Sequence, residues 1–351
     1  MNRRIRVLVV DDSAMVRQLM SEILSADKEI EVVGVASNPY VARDKIIELK
    51  PDVLTLDIEM PKMNGLEFLK KLMPQHPLPV IMVSALTEKG KKITIDCLEA
   101  GAVDFVSKPH SDIERGLEIM ADDLRSKVKM AATANLSKWK TGRTPSSNPD
   151  VVQSPMHGEF GGKVIAIGAS AGGTQALREV LSRLPETAPG LVIVQHMPAG
   201  FTKLFANRMN DYCKVNVKEA CNGDKIIAGR ALIAPGGLQM RVTRSEGSYC
   251  VRCNHEDEIC GHAPSVEALM QSVAMHVGPN AVGVILTGMG SDGADGLKAM
   301  RDAGARTLAQ DEATSVVFGM PKVAWERGGA EELVPLGEIA KTIMSFFTRS
   351  A

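Results

Sequence analysis

Five short apolar runs, rich in β-branched residues, recur along the first 125 residues, and a segment with helical periodicity follows each of them. The runs are IRVLVV, IEVVGV, VLTLD, PVIMVS and DFVSK, and the first two helical segments lie near 14–24 and 41–49. Strands that alternate with helices in this way form a doubly wound parallel sheet. The sequence therefore predicts a five-stranded α/β domain over residues 1–125.

Polar side chains end four of these strands. In a doubly wound sheet, ligands bind at the carboxyl ends of the strands, so we expect five side chains to converge there: Asp11, Asp12, Asp57, Ser84 and Lys108. Three carboxylates repel one another unless a cation neutralises them, and oxygen ligands suit Mg²⁺. Asp57 is then a candidate nucleophile toward a phosphoryl group, to which Lys108 and Ser84 donate hydrogen bonds. Each residue alone is more simply a cap, and only the set of five supports a site.

The segments VVDDS, LTLDIEMPKMNG and VSKP resemble the receiver domain family of response regulators. The resemblance implies a flavodoxin-like fold in which Asp57 accepts phosphate from a histidine kinase. It implies that Mg²⁺ is held by Asp11, Asp12, Asp57 and the Glu59 carbonyl. It also implies that three residues sense the phosphate, namely Ser84, Lys108 and the switch aromatic Phe105.

Apolar periodicity fades between residues 126 and 160, where several lysines lead into the proline-containing segment TPSSNPD. This composition predicts a linker over 126–160. We expect its first part to continue the preceding helix and its proline-containing part to be loosely ordered. The second domain is then expected over 161–351.

The charge and hydropathy of the chain exclude several classes of protein. The formal net charge is −1, with 41 basic and 42 acidic side chains, so overall charge does not favour nucleic acid or an anionic membrane. No apolar stretch approaches the roughly 20 residues that span a bilayer, and Asp11 and Asp12 end the first run too early for a signal peptide. We therefore expect a cytoplasmic protein without nucleic-acid or membrane partners, whose six cysteines are reduced thiols.

The second half opens with KVIAIGASAGGTQALREVL, which predicts a strand from Lys163, a glycine-rich turn holding Ser170, and a helix from about Thr174. One interpretation is a phosphate-binding loop, although GASAGG lacks the GxGxxG spacing and the Walker lysine. The other is a nucleophile elbow, because Gly168 to Gly172 fits GxSxG.

A serine hydroxyl becomes a good nucleophile when a histidine accepts its proton and a carboxylate orients that histidine. His196 follows the apolar strand LVIVQ, and Asp292 lies in a glycine-rich turn after AVGVIL. Alone, His196 is more simply a surface histidine and Asp292 a helix N-cap. Their order after Ser170 differs from that of the α/β-hydrolases, which excludes that fold. Among the other histidines, His262 is the serious alternative.

The cluster Cys250, Cys253, Cys260 and His262 lies within thirteen residues. CxxC fits zinc spacing, but Cys-Gly-His is tighter than common zinc ligand pairs and no second CxxC follows. We therefore favour a surface hairpin that carries thiols over a zinc site.

The segments GASAGG, QHMPAGFT, APGG, HAPSVEAL, LTGMGSDGADG and FGMP resemble the catalytic domain of chemotaxis protein-glutamate methylesterases of the CheB type. The resemblance implies a doubly wound, mostly parallel α/β domain without a cofactor. Its nucleophile, general base and orienting acid would be Ser170, His196 and Asp292. Main-chain donors at Met289 and Ala171 are oxyanion candidates, although Ala171 stands where threonine is frequent in the family.

This resemblance implies hydrolysis of glutamate methyl esters, and deamidation of some glutamines, on the cytoplasmic helices of methyl-accepting chemoreceptors. The phosphate donor would be a histidine kinase of the CheA type. We expect the unphosphorylated receiver to cover the Ser170 face and phosphate on Asp57 to favour an open arrangement. The alternatives are a DNA-binding output, for which no basic recognition helix is evident, and a nucleotide-binding output that uses GASAGG.

Overall fold

A computed structural model of the chain describes residues 3–85, 87–108, 113–137, 151–152 and 161–348. The chain divides into two compact units, Met1–Thr144 and Pro145–Ala351. The helix Ile113–Ala131 enters the predicted linker, as expected for its first part. Most of the rest of that linker, including its proline-containing part, lies outside the described residues.

The first unit contains the five alternating strands and helices that the sequence predicts. The strands are β1 (Ile5–Val10), β2 (Ile30–Ala36), β3 (Val53–Asp57), β4 (Val80–Ala85) and β5 (Asp104–Lys108). The helices are α1 (Ala14–Ser25), α2 (Pro39–Leu49), α3 (Gly65–Gln75), α4 (Glu88–Glu99) and α5 (Ile113–Ala131). The sheet order is β2-β1-β3-β4-β5, and all neighbours are parallel. The receiver-like fold is therefore confirmed.

Local sequence signals set the starts of these helices. The Ser13 hydroxyl accepts a hydrogen bond from the first turn of α1, and Asn38, Asn64 and Thr87 do the same for α2, α3 and α4. Such N-caps satisfy amide groups that have no partner inside the helix. Because each cap follows a strand after a short loop, the caps fix where the chain turns at the carboxyl edge of the sheet.

The second unit is a seven-stranded sheet flanked by helices. Its strands are β6 (Val164–Ala169), β7 (Gly190–Gln195), β8 (Asn216–Glu219), β9 (Arg230–Ile233), β12 (Ala281–Ile285), β13 (Arg306–Gln310) and β14 (Glu332–Val334), and the hairpin β10 (Gln239–Ser245) and β11 (Ser248–Asn254) lies outside that sheet. The helices are α6 (Gly173–Leu181), α7 (Phe201–Tyr212), α8 (Val266–His276), α9 (Ala294–Asp302), α10 (Met320–Glu326) and α11 (Leu336–Thr348).

The order of this sheet is β14-β13-β12-β6-β7-β9-β8, with every neighbouring pair parallel. From β6 the chain moves outward through β7 in one direction, and later returns to β12 on the other side of β6. Such a reversal leaves a crevice at the carboxyl ends of the central strands, which is where doubly wound folds bind ligands. The predicted mostly parallel α/β fold is confirmed, and the crevice lies at the ends of β6, β7 and β12.

The β10–β11 hairpin carries the cysteine-rich segment, but it is not the surface element that we expected. Met240, Val242 and Val251 of the hairpin are buried in one core with residues of α8. The Val242 amide also donates to the Ser272 hydroxyl of α8 at 2.8 Å. The hairpin therefore fixes α8 in place, and its thiols Cys250 and Cys253 are buried.

Within the described ranges, no helix combines the length and the apolar character that crossing a membrane requires.

Candidate functional site

The first unit gathers acidic side chains at the carboxyl edge of its sheet. Asp11, Asp12 and Asp57 each place one carboxylate oxygen within 4.8 Å of the others. Asp11 and Asp57 are buried and Asp12 is exposed. The Lys108 ammonium donates to Asp11 Oδ2 at 2.9 Å and to Asp57 Oδ1 at 2.7 Å. Four of the five side chains that the strand-end argument selected thus lie together.

This donor set suits a hard divalent cation. Three carboxylates and one ammonium leave two negative charges at the edge of the sheet, and Mg²⁺ prefers oxygen ligands of this kind. The Glu59 side chain is exposed and lies outside the cluster, and the role of its carbonyl stays a prediction. The residues present therefore fit a magnesium ion.

The surroundings of Asp57 disfavour the ionised form of its carboxyl group. Burial, to which the charge of Asp11 adds, raises its pKa to about 6, and the hydrogen bond from Lys108 opposes that rise. Burial alone would lower the pKa of Lys108, but its contacts with Asp57 and Asp11 hold that pKa above the usual value. Lys108 and Asp57 thus stabilise each other's charged forms, but ionisation of the buried Asp57 still lowers the free energy of unfolding.

We expect Asp57→Asn to stabilise the first unit above pH 6 and to lose that effect near pH 4. A folded pKa near 6 lies above the unfolded value of about 4, so ionising Asp57 removes stability as the pH rises through this window, by about 2 to 3 kcal/mol. Hydrogen exchange of the β1 and β3 amides in the full chain, in Mg²⁺-free buffer, measures the difference. The control is Asp44→Asn at an exposed position, and an equal gain at pH 8 and pH 4 would contradict the argument.

Ser84, the fifth residue, directs its hydroxyl toward α4. It is buried, and its Oγ lies 2.7 Å from Thr94 Oγ1. Thr94 donates its own hydroxyl proton to the Gly90 carbonyl at 2.8 Å, so Ser84 must be the donor in the Ser84–Thr94 bond, because each hydroxyl has one proton. Contact between Ser84 and a phosphoryl group requires this hydroxyl to turn, and that role stays a prediction.

Phe105 is buried on β5, and its contacts tie it to α5. The Lys127 ammonium donates to the Phe105 carbonyl at 2.7 Å and lies 5.5 Å from the ring centroid. Phe105, the proposed switch aromatic, thus has the Lys127 ammonium of α5 as a neighbour.

In the second unit, Ser170 follows β6 directly and lies in a tight turn. Its N–H donates to the Thr287 carbonyl at 3.0 Å, and its carbonyl accepts from the Gly173 N–H at 2.8 Å. Gly172, with φ of +72°, precedes α6 in a left-handed conformation that favours glycine. The sequence pattern GxSxG therefore forms a sharp strand-to-helix turn with Ser170 at its tip, partly accessible to solvent.

His196 and Asp292 meet in the crevice between the central strands. Nε2 of His196 lies 2.7 Å from Oδ2 of Asp292, and both side chains are buried. Asp292 also accepts hydrogen bonds from the Ser265 hydroxyl at 2.7 Å and from the N–H groups of Val266 at 2.7 Å and Glu267 at 3.0 Å. These amides form the first turn of α8, whose positive end favours an anion.

The pKa of Asp292 is lowered even though the carboxylate is buried. Burial is the largest single influence and raises the pKa, but hydrogen bonds from His196, Ser265 and the Glu267 amide together outweigh it. Asp292 does not cap the helix that follows it, because Gly293 occupies the N-cap position of α9. Its carboxylate is committed to His196 and to α8.

The ring of His196 has one nitrogen left for chemistry. Nδ1 is buried and has no hydrogen-bond partner within the described part of the chain, whereas Nε2 is engaged by Asp292. The His262 ring stacks on the His196 ring with centroids 3.7 Å apart and planes inclined by 22°. His262, the alternative histidine, thus lies beside His196, and Asp292 contacts Nε2 of His196.

Two glycines, Gly168 before Ser170 and Gly293 after Asp292, allow α8 to approach both residues closely, because both glycines face the Val266 side chain. A Cβ on Gly168 would lie 2.2 Å from Val266 Cγ1, and one on Gly293 would lie 2.3 Å from the same atom. Val266 is the first residue of α8. The helix start therefore packs directly against both the end of β6 before Ser170 and the turn after Asp292.

The two oxyanion candidates lie on segments next to Ser170. Ala171 follows it in the turn and is buried. Gly288, which precedes Met289, approaches so closely that a Cβ on it would lie 2.8 Å from Ser170 Cβ. Both backbones are neighbours of the serine, and their role as donors stays a prediction.

Three polar residues that hold this site together were not predicted from the sequence. Gln195 Nε2 donates to the Ser170 carbonyl at 2.9 Å. Ser265 donates to Asp292, and Gln239 holds the segment before Ser265 through its side-chain amide. Gln195 ends a strand that is otherwise apolar, and that position was a usable signal. No comparable sequence pattern indicates that Ser265 and Gln239 contribute to the site.

The cysteine cluster does not assemble. Cys250 and Cys253 are three positions apart on β11 and therefore face opposite sides of the strand. Cys260 is exposed in the turn before His262. Within the described residues, these thiols and His262 do not gather their ligand atoms as the three aspartates do.

Comparison with known proteins assigns both units to families. The model described as CheB methylesterase matches residues 165–343, and the model described as Response regulator receiver domain matches residues 7–119. The crystal structure of the Thermotoga maritima CheB methylesterase catalytic domain is similar with a TM-score of 0.51 and 35% sequence identity, and the match covers 52% of this chain and 97% of that one.

Whole-length relatives are also similar. A Syntrophotalea carbinolica protein named protein-glutamate methylesterase/protein-glutamine glutaminase is 60% identical over 349 residues, which cover 99% of each chain. A Sulfurimonas denitrificans protein with the same name is 52% identical over 350 residues, covering 98% of this chain and 99% of the relative. The similarity thus spans both units in the same order.

Proposed function

The chain belongs to the CheB methylesterase family and carries a response regulator receiver domain ahead of the methylesterase domain, and on that basis we propose that it is a phosphorylation-activated protein-glutamate methylesterase and protein-glutamine glutaminase. Its substrates are methylated glutamates, and certain glutamines, on the cytoplasmic parts of methyl-accepting chemoreceptors. A CheA-type histidine kinase supplies the phosphate. The protein acts in the cytoplasm in chemotactic adaptation.

The buried pair of His196 and Asp292, beside the turn that presents Ser170, carries this proposal for the chemistry. Asp292 binds Nε2, so Nδ1 of His196 accepts the Ser170 proton as Oγ attacks the ester carbonyl. The proton then passes to the departing methanol. Water, activated by the same nitrogen, hydrolyses the acyl-enzyme to a glutamate carboxylate and regenerates Ser170.

Deamidation uses the same residues, since an amide carbonyl also gives a tetrahedral intermediate and ammonia replaces methanol as the leaving group. The intermediate's oxyanion needs main-chain donors, for which Ala171 and Met289 are the candidates. A nucleotide-binding output finds no support, because the relatives are named as methylesterases and glutaminases.

For the receiver, we propose that Asp57 is the phosphoacceptor. Asp11, Asp12 and Asp57, with the Glu59 carbonyl, would hold Mg²⁺, which neutralises charge between carboxylate and phosphoryl oxygens when bound. Lys108 contacts two of these carboxylates, which supports a role for its ammonium as a donor to phosphoryl oxygens. Ser84 and Phe105 complete the group that responds to the phosphate.

We expect a small phosphodonor with Mg²⁺ to raise methanol release by the wild-type full chain and to leave Asp57→Asn at its basal rate. Asparagine keeps the size and the hydrogen bond from Lys108 but cannot form an acyl phosphate. Methanol release from methylated receptor membranes measures the effect, with Asp44→Asn as the control. Equal activation of Asp57→Asn and wild type would show that phosphate on Asp57 does not control the esterase.

A further inference from the structure

Gln239, the first residue of β10, is fully buried with its side-chain amide turned into the segment that precedes α8. Its Nε2 donates to the carbonyls of His262 at 2.8 Å and Asp257 at 3.3 Å. Its Oε1 accepts from the Ser265 N–H at 2.8 Å. One amide therefore ties both ends of residues 257–265 to the hairpin.

The tied segment makes two contacts with the proposed catalytic pair. His262 stacks on His196 with centroids 3.7 Å apart, and the Ser265 hydroxyl donates to Asp292 at 2.7 Å. Gln239 bonds the backbone of each of these two contact residues. The Gln239 amide thus reaches His196 through one intervening residue, His262, and reaches Asp292 through another, Ser265.

The rest of the segment is also held by backbone bonds. Ile259 and His262 exchange two hydrogen bonds of 3.1 Å, which close a two-residue turn, and the Gly237 N–H donates to the Ala263 carbonyl at 2.9 Å. These bonds shape the turn but do not contact Ser265. Among the described residues, Gln239 is the side chain whose amide joins the His262 end of the segment to the helix start at Ser265.

We propose that Gln239 is a positioning residue for the esterase reaction, which holds the His262 ring and the Ser265 cap against His196 and Asp292. The inference rests on the proposed roles of those two residues. A buried donor without a partner is costly, so loss of the Gln239 amide, which is the acceptor for the buried Ser265 N–H, releases the segment rather than leaving that N–H unpaired in place. A released segment leaves the His196 ring free to tilt, and small displacements of a catalytic group strongly affect the rate.

Two substitutions separate the parts of this arrangement. Gln239→Met keeps approximately the length of the side chain and removes all three hydrogen bonds. Gln239→Glu keeps an acceptor for the Ser265 N–H but turns an oxygen, instead of a donor, toward the carbonyls of Asp257 and His262. Gln271→Met is the matched control, because Gln271 is an exposed glutamine of α8.

We expect Gln239→Met to lower kcat for methanol release from methylated receptors by about 10- to 100-fold, with KM changed by less than about twofold because substrate binding is not its function. Gln239→Glu should also lower kcat. Proton NMR of the stacked histidine rings should show altered signals in both variants, while Gln271→Met keeps the wild-type spectrum and rate.

A double-mutant cycle with His262→Ala tests the coupling. If Gln239 acts through the segment, the double variant Gln239→Met/His262→Ala loses much less than the product of the two single effects. Wild-type kcat in a folded Gln239 variant, or independent effects in the cycle, would overturn the inference. If Gln239→Met does not fold, Gln239→Glu decides. Unimpaired Ser170→Ala would instead overturn the proposed function itself, so the two failures are distinguishable.

Discussion

Ser170→Ala is expected to lower methanol release from methylated receptors by about 10⁴-fold or more, the loss that removal of a serine nucleophile causes in other hydrolases. Alanine fits the turn, because the backbone bonds to Thr287 and Gly173 do not use the hydroxyl. Substrate binding and phosphorylation of Asp57 should therefore persist. Methanol release in the presence of a phosphodonor measures the loss.

The control is Ser245→Ala, which removes a hydroxyl from an exposed position of the hairpin in the same unit. Glutamine deamidation should fall together with ester hydrolysis in Ser170→Ala, since both need the same nucleophile. Retention of either activity at more than a small fraction of the wild-type rate would mean that another group attacks the substrate.

Asp292→Asn is expected to lower kcat by about 10⁴-fold, as loss of the orienting carboxylate does in a Ser-His-Asp enzyme. The carboxylate accepts from His196, from the Ser265 hydroxyl and from two amides of α8. An asparagine side chain must turn its NH₂ group toward some of these donors. Either His196 loses its acceptor and changes tautomer, or the first turn of α8 loses its anion.

The same substitution should destabilise the fold by about 1 to 3 kcal/mol, because it leaves buried donors unsatisfied. Chemical denaturation of the full chain measures this cost, and single-turnover methanol release measures the rate. Asp302→Asn, at an exposed residue of α9 paired with Lys298, is the control. A variant that lost stability but kept its rate would restrict Asp292 to a structural role.

The sequence was sufficient to predict the first sheet strand by strand, and to predict most of the side chains that meet at the strand ends. Asp11, Asp57 and Lys108 end buried strands, and parallel strands deliver their ends to one edge. The same rule selected His196 and Asp292. These predictions succeed because they depend on local periodicity and on one property of parallel sheets.

Contacts between distant loops could not be predicted in this way. Gln239 and Ser265 are 26 positions apart, and no periodicity signals that their backbones and side chains meet. The direction of the Ser84 hydroxyl depends on Thr94, and the burial of Cys253 depends on how the hairpin packs under α8. Such features are set by tertiary packing, which overrides the local pattern.

The contact of Val266 with Gly168 and Gly293 shows a second structural role for the glycine-rich motifs, which is to leave room for a neighbouring helix. In GxSxG the first glycine is usually explained by the bend of the chain, but Gly168 precedes that bend and lies within strand β6. What its hydrogen atom provides is clearance for the side chain that begins α8. The first glycine of the motif thus allows β6 and the start of α8, which are nearly a hundred positions apart in the chain, to pack closely. A methyl group at Gly168 would separate the acid from the nucleophile without altering either.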